Sequence, residues 1–243
     1  MPDGLSGYSL PRSPEGRASL VPPPPWHYVG DFLVIEYWAD PDAVAGVLPP
    51  GLEPYADDPG RAAALFVDWQ SCTSGQAELL DPARSQYKEF FIVVNATLDG
   101  ELITSCPYIW VDQDFALVRG WIQGFPKKLG SIQMTRTFGL DCLADPGIKP
   151  GAAYGGTVAA NDRRLAQQIG QIVGKGPGET GIDHALFHAH ALGQGQRDAL
   201  FPGKAQQPAM RRIERAEQSL HVAFAGRAVD GDVFAKNVIV ADG

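Results

Sequence analysis

Residues 90–97 and 101–111 are two runs rich in β-branched and aromatic side chains, joined through Asp99-Gly100. That dipeptide suits a tight turn whose two central residues take positive φ, a region of backbone space that most side chains avoid. An antiparallel hairpin is therefore predicted there. Residues 32–37, 63–69, 131–138, 219–225 and 236–240 also have strand character. The chain reads as β-dominated.

Helical signals are few. Asp40-Pro41-Asp42 offers a capping carboxylate followed by proline at the first helical position, with Val44, Val47 and Leu48 as the apolar face. Pro49-Pro50-Gly51 stops that helix. A second short helix is predicted over 112–122, capped by Asp112 and ended by Gly124 and Pro126. A third is predicted over 162–173, where Leu165, Ile169, Ile172 and Val173 make one stripe, although Gly170 weakens it. Residues 72–84 and 193–207 read as loops.

The first 25 residues contain seven prolines and no hydrophobic period. They read as an N-terminal arm, with residues 26–243 as one domain. With 44% apolar and 20% charged residues, the 243-residue chain can bury a substantial core. A net charge of -8 leaves no surplus of Lys and Arg for a phosphate backbone, so nucleic acid is not an expected partner. No run approaches the roughly 20 apolar residues that span a bilayer, so a cytoplasmic protein without a membrane partner is expected. The three cysteines are far apart and form no C-x-x-C pair, which argues against a disulfide framework or zinc site.

The most specific local feature is Gly124-Phe125-Pro126-Lys127-Lys128-Leu129-Gly130. Two lysines sit there between apolar residues and chain-bending glycines and proline. This segment resembles the signature of the acetoacetate decarboxylase family, in which a Tyr- or Phe-Pro-Lys-Lys-Leu sequence carries a Schiff-base lysine. Residues 37–48 resemble the family's first strand and helix. Thr73-Ser74-Gly75 resembles a small-residue turn, and Tyr87-Lys88-Glu89 resembles its Tyr-x-Glu segment. The resemblance covers residues 32–140. It makes Lys127 the candidate nucleophile and Glu89 the candidate acid–base carboxylate.

An amine must be neutral to attack a ketone, whereas an ordinary lysine has a pKa near 10.4. A neighbouring cation is the established cause of lysine activation in acetoacetate decarboxylase itself. In extended backbone, however, Lys127 and Lys128 point to opposite faces, and desolvation of Lys127 becomes the leading cause. Phe125 and Trp121 are candidates for its apolar surroundings, and Tyr87 for the substrate site.

Two family motifs are not preserved in place. Arg119-Gly120-Trp121-Ile122-Gln123 stands where decarboxylases have a Gly-Arg-Glu segment, and Tyr28-Val29-Gly30-Asp31 precedes the first strand where they carry an arginine. In this respect the sequence resembles divergent relatives that use pyruvate-type imines for aldol addition and dehydration. Gln123 and Arg119 are the candidates for holding a retained carboxylate or hydroxyl.

The resemblance implies a β-rich α+β fold of the acetoacetate decarboxylase-like type, with antiparallel strands forming a cone-like β-barrel around the lysine. It also implies a homo-oligomer without a cofactor. The substrates expected are a small keto acid, pyruvate first, and an aldehyde. Acetoacetate decarboxylation is the second reading, and a noncatalytic small-molecule binding module the third. His184, His188 and His190 form the other notable cluster. Their spacing does not bring all three to one ion on either a strand or a helix, so no metal is expected.

Overall fold

A computed structural model describes residues 4–140, 142–145, 147, 152–176, 179–183, 188–189, 228–229 and 238–239. In chain order the elements begin with β1 (Trp26–Trp38), α1 (Pro41–Ala45), β2 (Glu53–Pro54), β3 (Arg61–Thr73), β4 (Gln86–Leu98) and β5 (Glu101–Val111). Next come α2 (Asp114–Ile122), β6 (Lys127–Leu129), β7 (Ser131–Met134), β8 (Ala153–Ala160) and β9 (Arg163–Gly176). The last are β10 (Glu179–Asp183), β11 (His188–Ala189), β12 (Ala228–Val229) and β13 (Val238–Ile239).

The expected hairpin is present. β4 and β5 pair antiparallel up to Leu98 and Glu101, and the turn residues Asp99 and Gly100 have φ of 51° and 84°. Asp40 caps α1 by accepting from the Asp42 N–H at 2.9 Å. β1 is longer than residues 32–37 because Trp26 and Tyr28 extend its pairing with β3 to the end of the proline run. Within that run, Ser6 and Ser13 exchange backbone hydrogen bonds and Val21 is buried.

Three expectations are corrected. Residues 162–173 are not a helix, because residues 163–173 belong to β9, paired antiparallel with β8. Asn161 and Asp162 both take positive φ, at 52° and 59°, and make the turn between those strands. The helical spacing of Leu165, Ile169, Ile172 and Val173 is thus overridden by a hairpin. The second helix starts at Asp114 rather than after an Asp112 cap, because the Asp112 carboxylate instead accepts from the Lys88 N–H at 2.7 Å. Burial pushes the Asp112 carboxyl up.

The third correction concerns the barrel. Among the described residues the strands form two open sheets, one of eight strands in the path β12-β1-β3-β4-β5-β13 with β2 on β4 and β6 on β5. The other has five, in the path β10-β9-β8-β7 with β11 on β9. A barrel closes only when its edge strands hydrogen-bond to each other, and these paths end apart. The β5–β6 and β5–β13 pairs are parallel, so the large sheet is mixed.

Period-two alternation gives the large sheet two apolar faces. Leu33, Ile35, Phe66, Phe90, Ile92 and Trp110 pack against Ile132, Tyr154 and Val158 of the small sheet. Their neighbours Phe32, Val67, Trp69, Tyr87, Phe91, Ile109 and Val111 pack on the other side with Phe115 and Ala116 of α2. The candidate site lies on this second side. Residues 193–207 and 219–225, and with them His184 and His190, lie outside the described residues.

Candidate active site

Lys127 reaches the site because of how α2 ends. Gly124, at φ 86°, lets the Gly124 N–H donate to Trp121 O at 3.1 Å and the Phe125 N–H donate to Gly120 O at 2.8 Å. This paired closure is the Schellman arrangement, and Pro126 then prevents the helix from resuming. The chain turns into β6, where Lys127 lies opposite Ile109 of β5. Lys127 is buried and Lys128 exposed, on the opposite faces that extended backbone gives to successive residues.

Glu89 lies on β4, opposite Val111 of β5. Strands β4 and β6 flank β5, so their backbones are about 10 Å apart, twice the usual strand spacing. A lysine is long enough to cross that gap. Its Nζ donates to Glu89 Oε2 at 2.6 Å, with the two side chains only 7% and 5% exposed. Shielded from water, each charge depends on the other.

Arg119 projects from the inner side of α2 and is buried. Its Nη2 donates to Ser71 Oγ at 3.0 Å. The guanidinium lies 4.9 Å from the centroid of the Tyr28 ring, 5.3 Å from Phe115, 5.6 Å from Tyr87 and 5.8 Å from Trp26. Four ring faces thereby replace part of its lost hydration. Among the described residues no carboxylate stands within ion-pair distance of Arg119.

Tyr87 ties the two cations together, since Lys127 Nζ also lies 5.6 Å from its ring centroid. Phe125 completes the lysine's surroundings at 5.8 Å. Burial holds the Tyr87 phenol well above its usual ionisation range, with the Glu89 charge acting in the same direction and Arg119 opposing it. The Tyr28 phenol is raised as well, by burial first, with Arg119 and nearby Gln123 acting against it. Both remain neutral hydroxyls at ordinary pH. The Cys106 thiol is likewise pushed up by burial and by Glu89, and it donates to Tyr108 O at 3.8 Å.

Lys127, Glu89, Tyr87, Phe125 and Arg119 are therefore brought together, and Gln123 reaches the edge through Tyr28. Trp121 is not. It is 58% exposed, facing away from the site, and its indole N–H donates to Lys127 O at 2.9 Å. Sequence reasoning missed Trp26, Ser71, Phe115, Cys106 and Gly120. Only Phe115 carried a local signal, four residues before Arg119 on one helix. Trp26, Ser71 and Cys106 come from other strands, and pairing alone delivers them. Among the described residues there is no cluster of metal-ligating side chains and no helix long and apolar enough to cross a membrane.

A buried amine–carboxylate pair lies beside a caged arginine on a β-rich α+β scaffold. The chain belongs to the acetoacetate decarboxylase family, whose model matches residues 9–185. That match begins inside the proline-rich segment.

The enduracididine biosynthesis enzyme MppR, solved with the condensation product of pyruvate and imidazole 4-carboxaldehyde, is 33% identical. The alignment covers 81% of this chain and 88% of that one, with a TM-score of 0.69. MppR complexed with pyruvate gives a TM-score of 0.70 over 82% of this chain and 90% of that one, again at 33% identity. An acetoacetate decarboxylase-like enzyme from Sphingomonas wittichii is 29% identical over 71% of this chain and 66% of its own, with a TM-score of 0.63. Acetoacetate decarboxylase from Legionella pneumophila shares the fold, with a TM-score of 0.52 at 15% identity over 75% of this chain and 80% of that one. No curated protein matches.

Proposed function

We propose that this protein is a Schiff-base lyase that condenses pyruvate, or a close keto acid, with an aldehyde and then eliminates water. The observation that carries the reading is the buried contact between Lys127 Nζ and Glu89 Oε2 at 2.6 Å. Moving one proton across that bond yields a neutral amine and a carboxylic acid, the two forms needed to begin. Lys127 Nζ attacks the keto carbon, and the carbinolamine loses its hydroxyl as water, leaving a protonated imine.

That iminium draws electrons from the adjacent methyl group. Glu89, as carboxylate, removes a methyl proton, and the enamine forms. The enamine carbon bonds to the aldehyde carbon, whose oxygen takes up a proton. Loss of water then gives the unsaturated imine, and hydrolysis frees product and Lys127.

Arg119 supplies the partner for the substrate carboxylate. A guanidinium with no carboxylate within ion-pair distance among the described residues can form two parallel hydrogen bonds to a bound acid. Such a grip keeps the carboxylate in place and favours condensation over loss of CO2. The neutral Tyr28 and Tyr87 hydroxyls and Gln123 are the polar groups for orienting the keto acid. Similarity to MppR, solved with pyruvate and with a condensation product, supports this substrate class.

The test is borohydride reduction in the presence of pyruvate, followed by intact-mass measurement and peptide mapping. A pyruvate-derived adduct on Lys127, lost in Lys127→Ala, is expected. Release of CO2 from acetoacetate with an acetone-derived adduct would replace condensation by decarboxylation. A folded protein that forms no adduct with either acid would leave a binding module as the better description.

A further inference from the structure

Gly120 lies in the last turn of α2 without a positive φ, so its backbone is one that any residue adopts. Alanine is the better helix former, and neither propensity nor backbone angle explains glycine at this point. Space explains it. A Cβ placed on Gly120 would stand 2.2 Å from Lys127 Cδ and 2.6 Å from both Cε and Cγ. Those distances are far inside the ~3.5–4.0 Å of ordinary carbon–carbon contact.

The lysine has little freedom to give way. Its N–H donates to Phe125 O at 2.8 Å, its carbonyl accepts from Trp121 at 2.9 Å, and its Nζ is held by Glu89 at 2.6 Å. Three methylenes between those anchors lie directly on the helix backbone. The same turn carries Arg119, so the contact also sets the separation of the two cations.

We propose that Gly120 is a positioning residue, the bare patch of helix against which the Lys127 stem is laid so that its amine meets Glu89. This rests on the role given to Lys127 above. Gly120 touches no reacting atom and acts through the lysine alone.

Two measurements on Gly120→Ala test it. The rate of borohydride-trapped pyruvate adduct at Lys127 is expected to fall about 100-fold, the loss that an ~1 Å misplacement of a reacting group produces. The melting temperature is expected to fall in the wild-type background and to rise in Lys127→Ala, where the stem is gone and only helix propensity remains. An adduct rate within about twofold of wild type, or a melting shift of the same sign and size in both backgrounds, overturns the proposal. Should Gly120→Ala alone not fold, folding of the double variant supports it and failure of the double variant overturns it. A wild-type protein that forms no adduct sinks the lyase reading instead, while the melting comparison still decides the contact.

Discussion

The two faces of the large sheet are built from the same strands by the same alternation, yet one of them buries charged side chains among its apolar ones. On the face toward the small sheet, Phe66 and Phe90 pack with ring centroids 4.6 Å apart, and Trp110 lies 6.0 Å from Phe90. Leu33, Ile35 and Ile92 complete that packing against Ile132, Tyr154 and Val158 of the small sheet. One residue along β4 from Phe90 is Glu89, which faces the other way into a region that also buries Lys127, Arg119 and Ser71. The first face is what a sequence selected for stability produces. The second carries desolvated charges of a kind that well-packed hydrophobic groups can often replace at no loss of stability.

Breaking the apolar face has the largest expected effect on folding. Phe66→Ala is expected to cost about 3–5 kcal/mol, read from the urea midpoint, because removing a fully buried ring leaves a cavity. A cost below about 1 kcal/mol would show that this face does not anchor the fold. The contrast is sharpened by replacing the ion pair as a unit. Lys127→Met combined with Glu89→Leu is expected to be neutral or stabilising by about 1–4 kcal/mol, while no keto-acid adduct forms. A marked loss of stability in that double variant would mean that the polar face also holds the protein together.

The smallest effect is a pH dependence. The Tyr87 phenol ionises near pH 10 in an unfolded chain but only at higher pH in the folded one. A raised folded value means that its contribution is fully present below the unfolded value and is lost as pH rises past it. Tyr87→Phe is expected to flatten the alkaline fall in stability above about pH 10, measured by urea titration. An unchanged slope would show that the phenol is not shielded by the polar face.

Much of this contrast was legible in the chain. The β4–β5 hairpin follows from Asp99-Gly100, and α1 from Asp40-Pro41, because turn and cap chemistry act over a few residues. Lys127 and Glu89 were found through a family motif, and the opposite facing of Lys127 and Lys128 follows from strand geometry alone. The β8–β9 hairpin was hidden because Asn161-Asp162 is a less usual pair for such a turn. The apolar residues after it also recur at helical spacing. Trp121, adjacent to Gly120, looked like site lining, but the helix's 100° step turns it outward.

By itself the sequence determined a strand-rich chain, the place of the β4–β5 turn, the capped start of α1, and the family of its lysine. These are decided by backbone sterics and side-chain period, which need only neighbours in the chain. Tertiary structure decided that the large sheet is open among the described residues and that β6 joins β5 in parallel. It also decided that Arg119 is caged by Tyr28, Phe115, Tyr87 and Trp26, and that Gly120 leaves room for a lysine. Those outcomes depend on which strands become neighbours and how closely a helix approaches them, and pairing between distant segments is set by the packing of the whole core.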